Sequence, residues 1–214
     1  MTHSLNEIDA LAKRAARGAG LSWGMAEEAG RAVRWLAAHD LDGITALADV
    51  LQTNDGRPTA DTAPIVTTGA WTSQSGQMCP LAAGAAMADL ADAFPPERGY
   101  DLAGVQHPIL IVPFAAMVAR HRQHAIKVAY DTVRLVTDGV GLAIMDENGR
   151  RDVYEGHVKI TFTDTPHSYD PPRQRGRVAA DGWARLNTFA QRTYAPATEE
   201  SRRLGAGAGL ADND

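Results

Sequence analysis

Apolar and polar positions divide the chain into three stretches with different periods. In the first, Ser4-Leu5-Asn6-Glu7 has the pattern of a capping box, with Ser4 placed to cap and Glu7 to reach back. Leu5, Ile8, Leu11, Ala12 and Ala15 follow at helical spacing, and Gly18 or Gly20 supplies the stop. Ser22 caps a second predicted helix, Met25 to His39, with Met25, Ala29, Val33 and Leu36 inward and Glu27, Glu28, Arg31 and Arg34 in water. Asp42 starts a third, Ile44 to Leu51, which Asn54-Asp55-Gly56-Arg57-Pro58 ends.

The middle stretch is mixed. Ile65-Val66-Thr67-Thr68 predicts a short β-branched strand, followed by a Gly/Ser/Gln loop. A small-residue helix then starts near Pro80 and runs through Met87 and Leu90 towards Phe94. Phe94 to Gly99 breaks the chain. Ile109 to Phe114 predicts a buried strand, and Ala115 to His124 a helical turn or two.

From Ile126 the period falls to two. Ile126–Thr137, Val140–Met145 and Val153–Thr163 predict consecutive strands of a β-meander, with Val158, Ile160 and Phe162 alternating against Lys159, Thr161 and Thr163. Asp146-Glu147-Asn148-Gly149 suits a tight hairpin, because Asn-Gly tolerates positive φ. Thr165 to Arg177 is a Pro/Arg loop. Ala179 to Tyr194 predicts a last amphipathic helix with Trp183, Leu186, Phe189 and Ala190 on one face, stopped by Pro196. A short helix, Glu199 to Leu204, and a glycine-rich end from Gly205 follow. The expectation is a single α+β domain over 1–214: a helical layer at 1–56, a sheet-containing core at 62–163, and a C-terminal helix with the glycine-rich end at 178–214.

Composition narrows the class. The chain has 214 residues, 44% hydrophobic and 22% charged, enough to bury a core and unlike a disordered chain. Its net charge of -5 argues against nucleic acid as a partner, since phosphate neutralisation needs a basic surplus. Cys79 is the only cysteine and forms no internal disulfide; the N-terminus has no apolar signal core, and no apolar run approaches the roughly 20 residues that span a bilayer. A cytoplasmic protein without a membrane partner is the expectation.

The stretch from Pro64 to Phe94 holds the main candidates. A loop rich in donors just before a helix start can hold an anion, because the helix dipole favours negative charge there. Thr68, Ser73, Ser75 and Gly76 are the ligand-binding candidates, joined by Arg202 and Arg203 from the C-terminal region. Cys79, at the helix start, is a candidate nucleophile; the plainer reading is a small buried cysteine. No Walker or dinucleotide pattern is present. His121 and His124 are three apart on one helix face, with His107, His157 and His167 available to complete a metal set, but Arg120 and Arg122 would repel a cation and HExxH is absent. No metal is therefore assigned. Arg150-Arg151 and Arg173-x-Arg175-x-Arg177 fit solvated loops.

Ser4-Leu5-Asn6-Glu7, Gly20-Leu21-Ser22-Trp23-Gly24, Thr193 to Ser201 and Gly205 to Gly209 together resemble the bacterial family known as domain of unknown function 3726. The likeness runs end to end, which implies one complete domain. The family brings no activity or catalytic residues to carry over, and it implies that the C-terminal stretch is a feature rather than a frayed tail. A second likeness joins Ala26-Glu27-Glu28-Ala29 and Leu41-Asp42-Gly43-Ile44 to the N-terminal helices of sulfolactate/malate-type NAD-dependent dehydrogenases. It is generic helix composition: those enzymes carry a histidine just after the Asp-Gly pair, and this chain continues with Ile44-Thr45-Ala46 and is too short for that fold.

Two functions follow as expectations. One is binding, with or without turnover, of a small anionic metabolite at the Thr68–Gly76 loop. The other is a non-catalytic, homo-oligomeric assembly module, with the glycine-rich end docked on a second subunit and an interface built on Trp23, Trp35 and Trp71. No cofactor, and no coupled nucleophile, base and orienter, can be named from the sequence.

Overall fold

The computed structural model describes residues 1–93, 95, 97–145, 153–165 and 167–194. Helices α1 (Leu5–Gly18), α2 (Trp23–Ala38) and α3 (Gly43–Thr53) form the expected layer. The capping box of α1 is complete: Ser4 N–H donates to Glu7 Oε2 at 2.8 Å and Glu7 N–H to Ser4 Oγ at 3.2 Å. Ser22 and Asp42 cap α2 and α3 with their side chains alone, accepting from Met25 N–H and Thr45 N–H. Ala29, Val33 and Leu36 of α2 are buried as their spacing predicts. A four-residue α4 (Thr59–Thr62) leads into the loop before α5 (Pro80–Asp89), and α6 (Val112–Arg122) follows later. At the end, α7 (Ala180–Gln191) packs back across α1 and α3, burying Leu186, Phe189 and Ala190.

Two antiparallel sheets complete an α+β architecture. The small one pairs β1 (Thr2–Ser4) with the strand Arg175–Arg177, inside what the sequence predicts as loop. Three-residue strands are too short to show a period. The large sheet contains β2 (Tyr100–Gln106), β3 (Ile126–Tyr130), β4 (Val133–Thr137), β5 (Leu142–Ile144) and β6 (Glu155–Phe162) in the order β2-β6-β3-β4-β5; Arg175–Arg177 is β7. Strands β3, β4 and β5 form the expected meander. β6 then returns to pair with β3 and not β5, which brings β2 into the sheet on its other side. The alternation in β6 holds: Val158 and Ile160 are buried while His157 and Lys159 face out. One hydrophobic cluster joins the helices to the sheet.

Several elements differ from expectation. Ile65–Thr68 is not a strand; only an isolated bridge joins Ile65 to Thr72. Ile109–Phe114 is not a strand either. Pro108–Ile111 forms a 3-10 turn and Val112 starts α6, with Pro113 tolerated in the first helical turn. A short, wholly apolar run carries no period to separate strand from helix. The Ile126–Thr137 run breaks into β3 and β4 at Asp131-Thr132, where Asp131 takes φ 46°. α5 ends at Asp89, short of Phe94. Trp71 is 1% exposed, edge-on to Tyr100 at 5.8 Å between centroids, so it cannot serve an intersubunit surface. The Asn148-Gly149 turn, Arg150-Arg151, the Glu199–Leu204 helix, Arg202, Arg203 and the glycine-rich end lie outside the described residues. Among the described residues, no helix is long and apolar enough to cross a membrane.

The loop before α5 is laid along the outer edge of β2. Trp71 N–H donates to Asp101 O at 2.8 Å and Ala103 N–H to Trp71 O at 2.9 Å; Met78 N–H donates to Gly104 O at 2.6 Å and Gln106 N–H to Met78 O at 3.0 Å. Between these contacts β2 is irregular, and Gly104 sits at φ 65° with its α-carbon against the Gly76 carbonyl. A β-carbon there would overlap that oxygen, so only glycine permits the approach. These contacts run to the last residue of β2, Gln106, and a histidine follows it.

Candidate functional site

His107 follows β2 with its backbone at φ 42° before Pro108 begins the 3-10 turn. Left-handed backbone at a non-glycine residue is uncommon and costs on the order of 1 kcal/mol, so its surroundings must hold it. They do: His107 N–H donates to Tyr154 O at 2.7 Å, and its carbonyl accepts from Leu110 N–H at 2.9 Å. The residue is 8% exposed, and its ring meets Tyr154 edge to face at 5.2 Å.

The charged partner comes from α3. One carboxylate oxygen of Asp49 accepts from Arg185 Nη1 on α7, and the other lies 3.4 Å from His107 Nε2. Arg185 Nε is 3.0 Å from Asp181. Burial pushes the His107 pKa down; Asp49 opposes that shift and Arg185 adds to it. The neutral imidazole is therefore favoured, a state able to accept a proton at one nitrogen while donating at the other.

Polar pairs extend the site on both sides. Gln106 is buried and exchanges hydrogen bonds with the side-chain amide of Asn54, at 2.8 and 3.3 Å. Gln77 accepts from Arg57 at 3.2 Å and donates to Glu155 at 3.1 Å. Two cavities of about 390 and 370 Å³ flank the histidine and share Asp49, His107 and Tyr154 in their walls. Gln77, Gln106 and Glu155 line the first; Asp40, Asp42 and Thr45 line the second.

The cleft is acidic. Arg173 pairs with Asp40 at 2.7 Å, and Arg185 with Asp49. Asp42 accepts from the amide and hydroxyl of Thr45, and Glu155 from Gln77. Neither of these two carboxylates has a cationic partner among the described residues. A site with uncompensated negative charge repels anions and suits a neutral hydroxylated molecule or a cation.

The candidates of the Thr68–Gly76 loop are not brought into this cleft. Thr68 is exposed. Ser75 Oγ is held by the backbone of Gln77, accepting at 3.3 Å and donating at 3.1 Å. The Ser75, Gly76, Gln77, Met78 and Cys79 amides all donate within the protein, to Asp61 O, Ser73 O, Ser75 Oγ, Gly104 O and Thr62 O. Ser73 is buried, and its hydroxyl has no hydrogen-bond partner among the described residues. The loop reaches the cleft through Gln77 alone. Cys79 is the N-cap of α5, and burial raises its thiol pKa, which disfavours the thiolate a nucleophile requires.

The other candidate histidines are scattered. His121 is 2.9 Å from Asp92 and His124 3.1 Å from Asp164; His157 meets Asp101, and His167 lies against the Tyr169 ring. Among the described residues no group of three or more His, Cys, Asp or Glu is placed to hold a metal ion.

The sequence offers two signals for the cleft. Asp49 is the one acid in the run Ile44-Thr45-Ala46-Leu47-Ala48-Asp49-Val50-Leu51, where helical spacing alone predicts core. His107-Pro108 adjoins the longest apolar run of the chain. Nothing local announces Tyr154, Asn54 or Arg185.

No curated protein matches the chain. The family described as protein of unknown function (DUF3726) matches residues 3–79. That span holds Asp49, Asn54, Arg57, Gln77 and Cys79 and stops short of His107, Tyr154 and Arg185; the Thr193–Ser201 and Gly205–Gly209 segments also fall beyond it. Over residues 3–79, and on that match, the chain resembles a family of unknown function.

Proposed function

We propose that the chain binds a small, polar, non-anionic molecule in the cleft around His107, and that His107 exchanges a proton with it. The observation that carries this reading is the setting of His107: buried, in left-handed backbone, its pKa lowered by burial, 3.4 Å from the Asp49 carboxylate and opening onto cavities on two sides. An imidazole so held is suited to act as general base towards a hydroxyl or ammonium group, with Asp49 stabilising the imidazolium that forms. Gln77, Gln106 and Thr45 supply neutral hydrogen-bonding groups for the rest of the ligand.

An anionic metabolite on the Thr68–Gly76 loop has less support. The amides from Ser75 to Cys79 donate elsewhere, and Arg202 and Arg203 lie outside the described residues. A thermal-shift panel of polyols, amines and carboxylates separates the two readings. Stabilisation by a polyol or an amine that His107→Gln abolishes supports the cleft; stabilisation by carboxylates alone, unchanged in His107→Gln, refutes it.

A homo-oligomeric assembly role draws support from Trp23, 66% exposed at the start of α2 with the Arg17 guanidinium 4.6 Å from its ring centre. Sedimentation at high and low protein concentration tests it. A concentration-dependent dimer lost in Trp23→Ser would support assembly, and a monomer throughout would end it.

A further inference from the structure

A third cavity, of about 570 Å³, lies between the end of α1, α3, α4 and the start of α5. Leu21, Met25, Val50, Leu51, Ala63 and Leu81 supply apolar wall. Asn54 and Arg57 also line it, whereas their hydrogen-bond partners Gln106 and Gln77 line the His107 cleft. The two spaces are therefore adjacent and share Val50, with these two side-chain pairs standing between them.

Their chemistry is opposite. Among the described residues, no aspartate or glutamate lines the third cavity, and Arg57 is the one charged residue in its wall. Arg57 donates to the neutral Gln77, and among the described residues no carboxylate pairs with it. A guanidinium with no counter-ion beside an apolar hollow is matched by an amphipathic anion: the apolar body leaves water while the head group forms a charge-assisted hydrogen bond. The volume falls within the range of small-molecule pockets, roughly 300 to 1,000 Å³.

We propose that this cavity is a binding site for a carboxylic acid with an apolar body, its carboxylate on Arg57 and its chain against Leu21, Met25, Leu51 and Leu81. The site is separate from the His107 cleft and does not depend on the function proposed there.

Cys79 lines the cavity and is the only cysteine of the chain, which makes it a reporter inside the site. Its rate of modification by the neutral reagent methyl methanethiosulfonate is measured with sodium octanoate, with octylammonium chloride, and with neither. Octanoate is expected to slow labelling at least tenfold at saturation, with octylammonium much weaker. Arg57→Met should raise the octanoate concentration needed for half-protection at least tenfold and erase the preference between the two probes. A second variant, Ala82→Leu, fills the cavity from α5 without touching Arg57 and should weaken octanoate in calorimetry. Equal protection by octanoate and octylammonium in the wild type overturns the proposal, as does no protection by octanoate or octanoate binding unchanged in both variants.

Discussion

Asp49 and Arg185 tie α3 to α7 directly behind His107: the guanidinium takes one carboxylate oxygen, and the other oxygen lies 3.4 Å from the imidazole. The pair is largely but not wholly withdrawn from water, with Asp49 and Arg185 side chains 20% and 28% exposed. Asp49→Asn keeps the shape and removes the charge. It is expected to cost about 1–2 kcal/mol in chemical denaturation, below the figure for a fully buried pair because water screens part of the interaction. The same substitution should lower the His107 pKa further, since Asp49 is the group that raises it.

The His107 pKa also predicts the acid side of the stability profile. An unfolded histidine titrates near 6.5 and the folded His107 lies lower, so in the window between them the unfolded chain binds the extra proton. Stability should fall as pH drops through about 6.5, and this contribution should level off below the folded pKa. His107→Gln should remove that part of the slope in denaturation midpoints taken at pH 7.5 and 5.5.

Cys79 acts at the other end. Burial raises its pKa, so the folded chain holds the thiol where the unfolded chain would ionise. Its contribution is complete below the unfolded value of about 8.5 and declines as pH rises above it. Cys79→Ala should give a flatter profile between pH 8 and 10 than the wild type. An identical slope in both proteins would show that the thiol is not buried as described.

Two glycines at helix ends should respond with opposite signs. Gly18 closes α1 against α7, where an added β-carbon would overlap the Phe189 carbonyl oxygen. Gly18→Ala is expected to destabilise by more than about 2 kcal/mol, because neither backbone has room to give. At Gly24, in the first turn of α2, a β-carbon meets nothing within 4 Å. Gly24→Ala should stabilise by up to about 1 kcal/mol, from helix propensity alone. Melting curves of the two variants beside the wild type decide the matter.

The legible parts of this fold are those whose signal is local. Four residues, Ser4 to Glu7, determine the start of α1, and the alternation through Val158 and Ile160 determines the faces of β6. The Ile109–Phe114 run reads as a strand and folds as a 3-10 turn and helix start, because full burial on all sides removes the periodicity that separates the two. The cleft was harder still. His107 owes its setting to Tyr154 from the approach to β6, Asp49 from α3 and Arg185 from α7, contacts between segments remote in sequence. Asp49 is the one acid in the Ile44–Leu51 run, and its reason for being there lies in α7 and just after β2. The Thr68–Gly76 loop has the composition of an anion site, whereas the amides from Ser75 to Cys79 donate to α4, to the β2 edge and within the loop itself.

The central claim is that a polar, non-anionic ligand meets His107, and ring-labelled histidine NMR tests it most directly. The His107 cross-peak is assigned by its loss in His107→Gln and followed while the most stabilising polyol or amine of the panel is added. Saturable movement of that peak, with an affinity matching the stability shift and weakened in Asp49→Asn, is the predicted result. A His107 peak that stays still while the ligand saturates the protein, or saturable movement confined to His121, His124 and His157, would contradict the account.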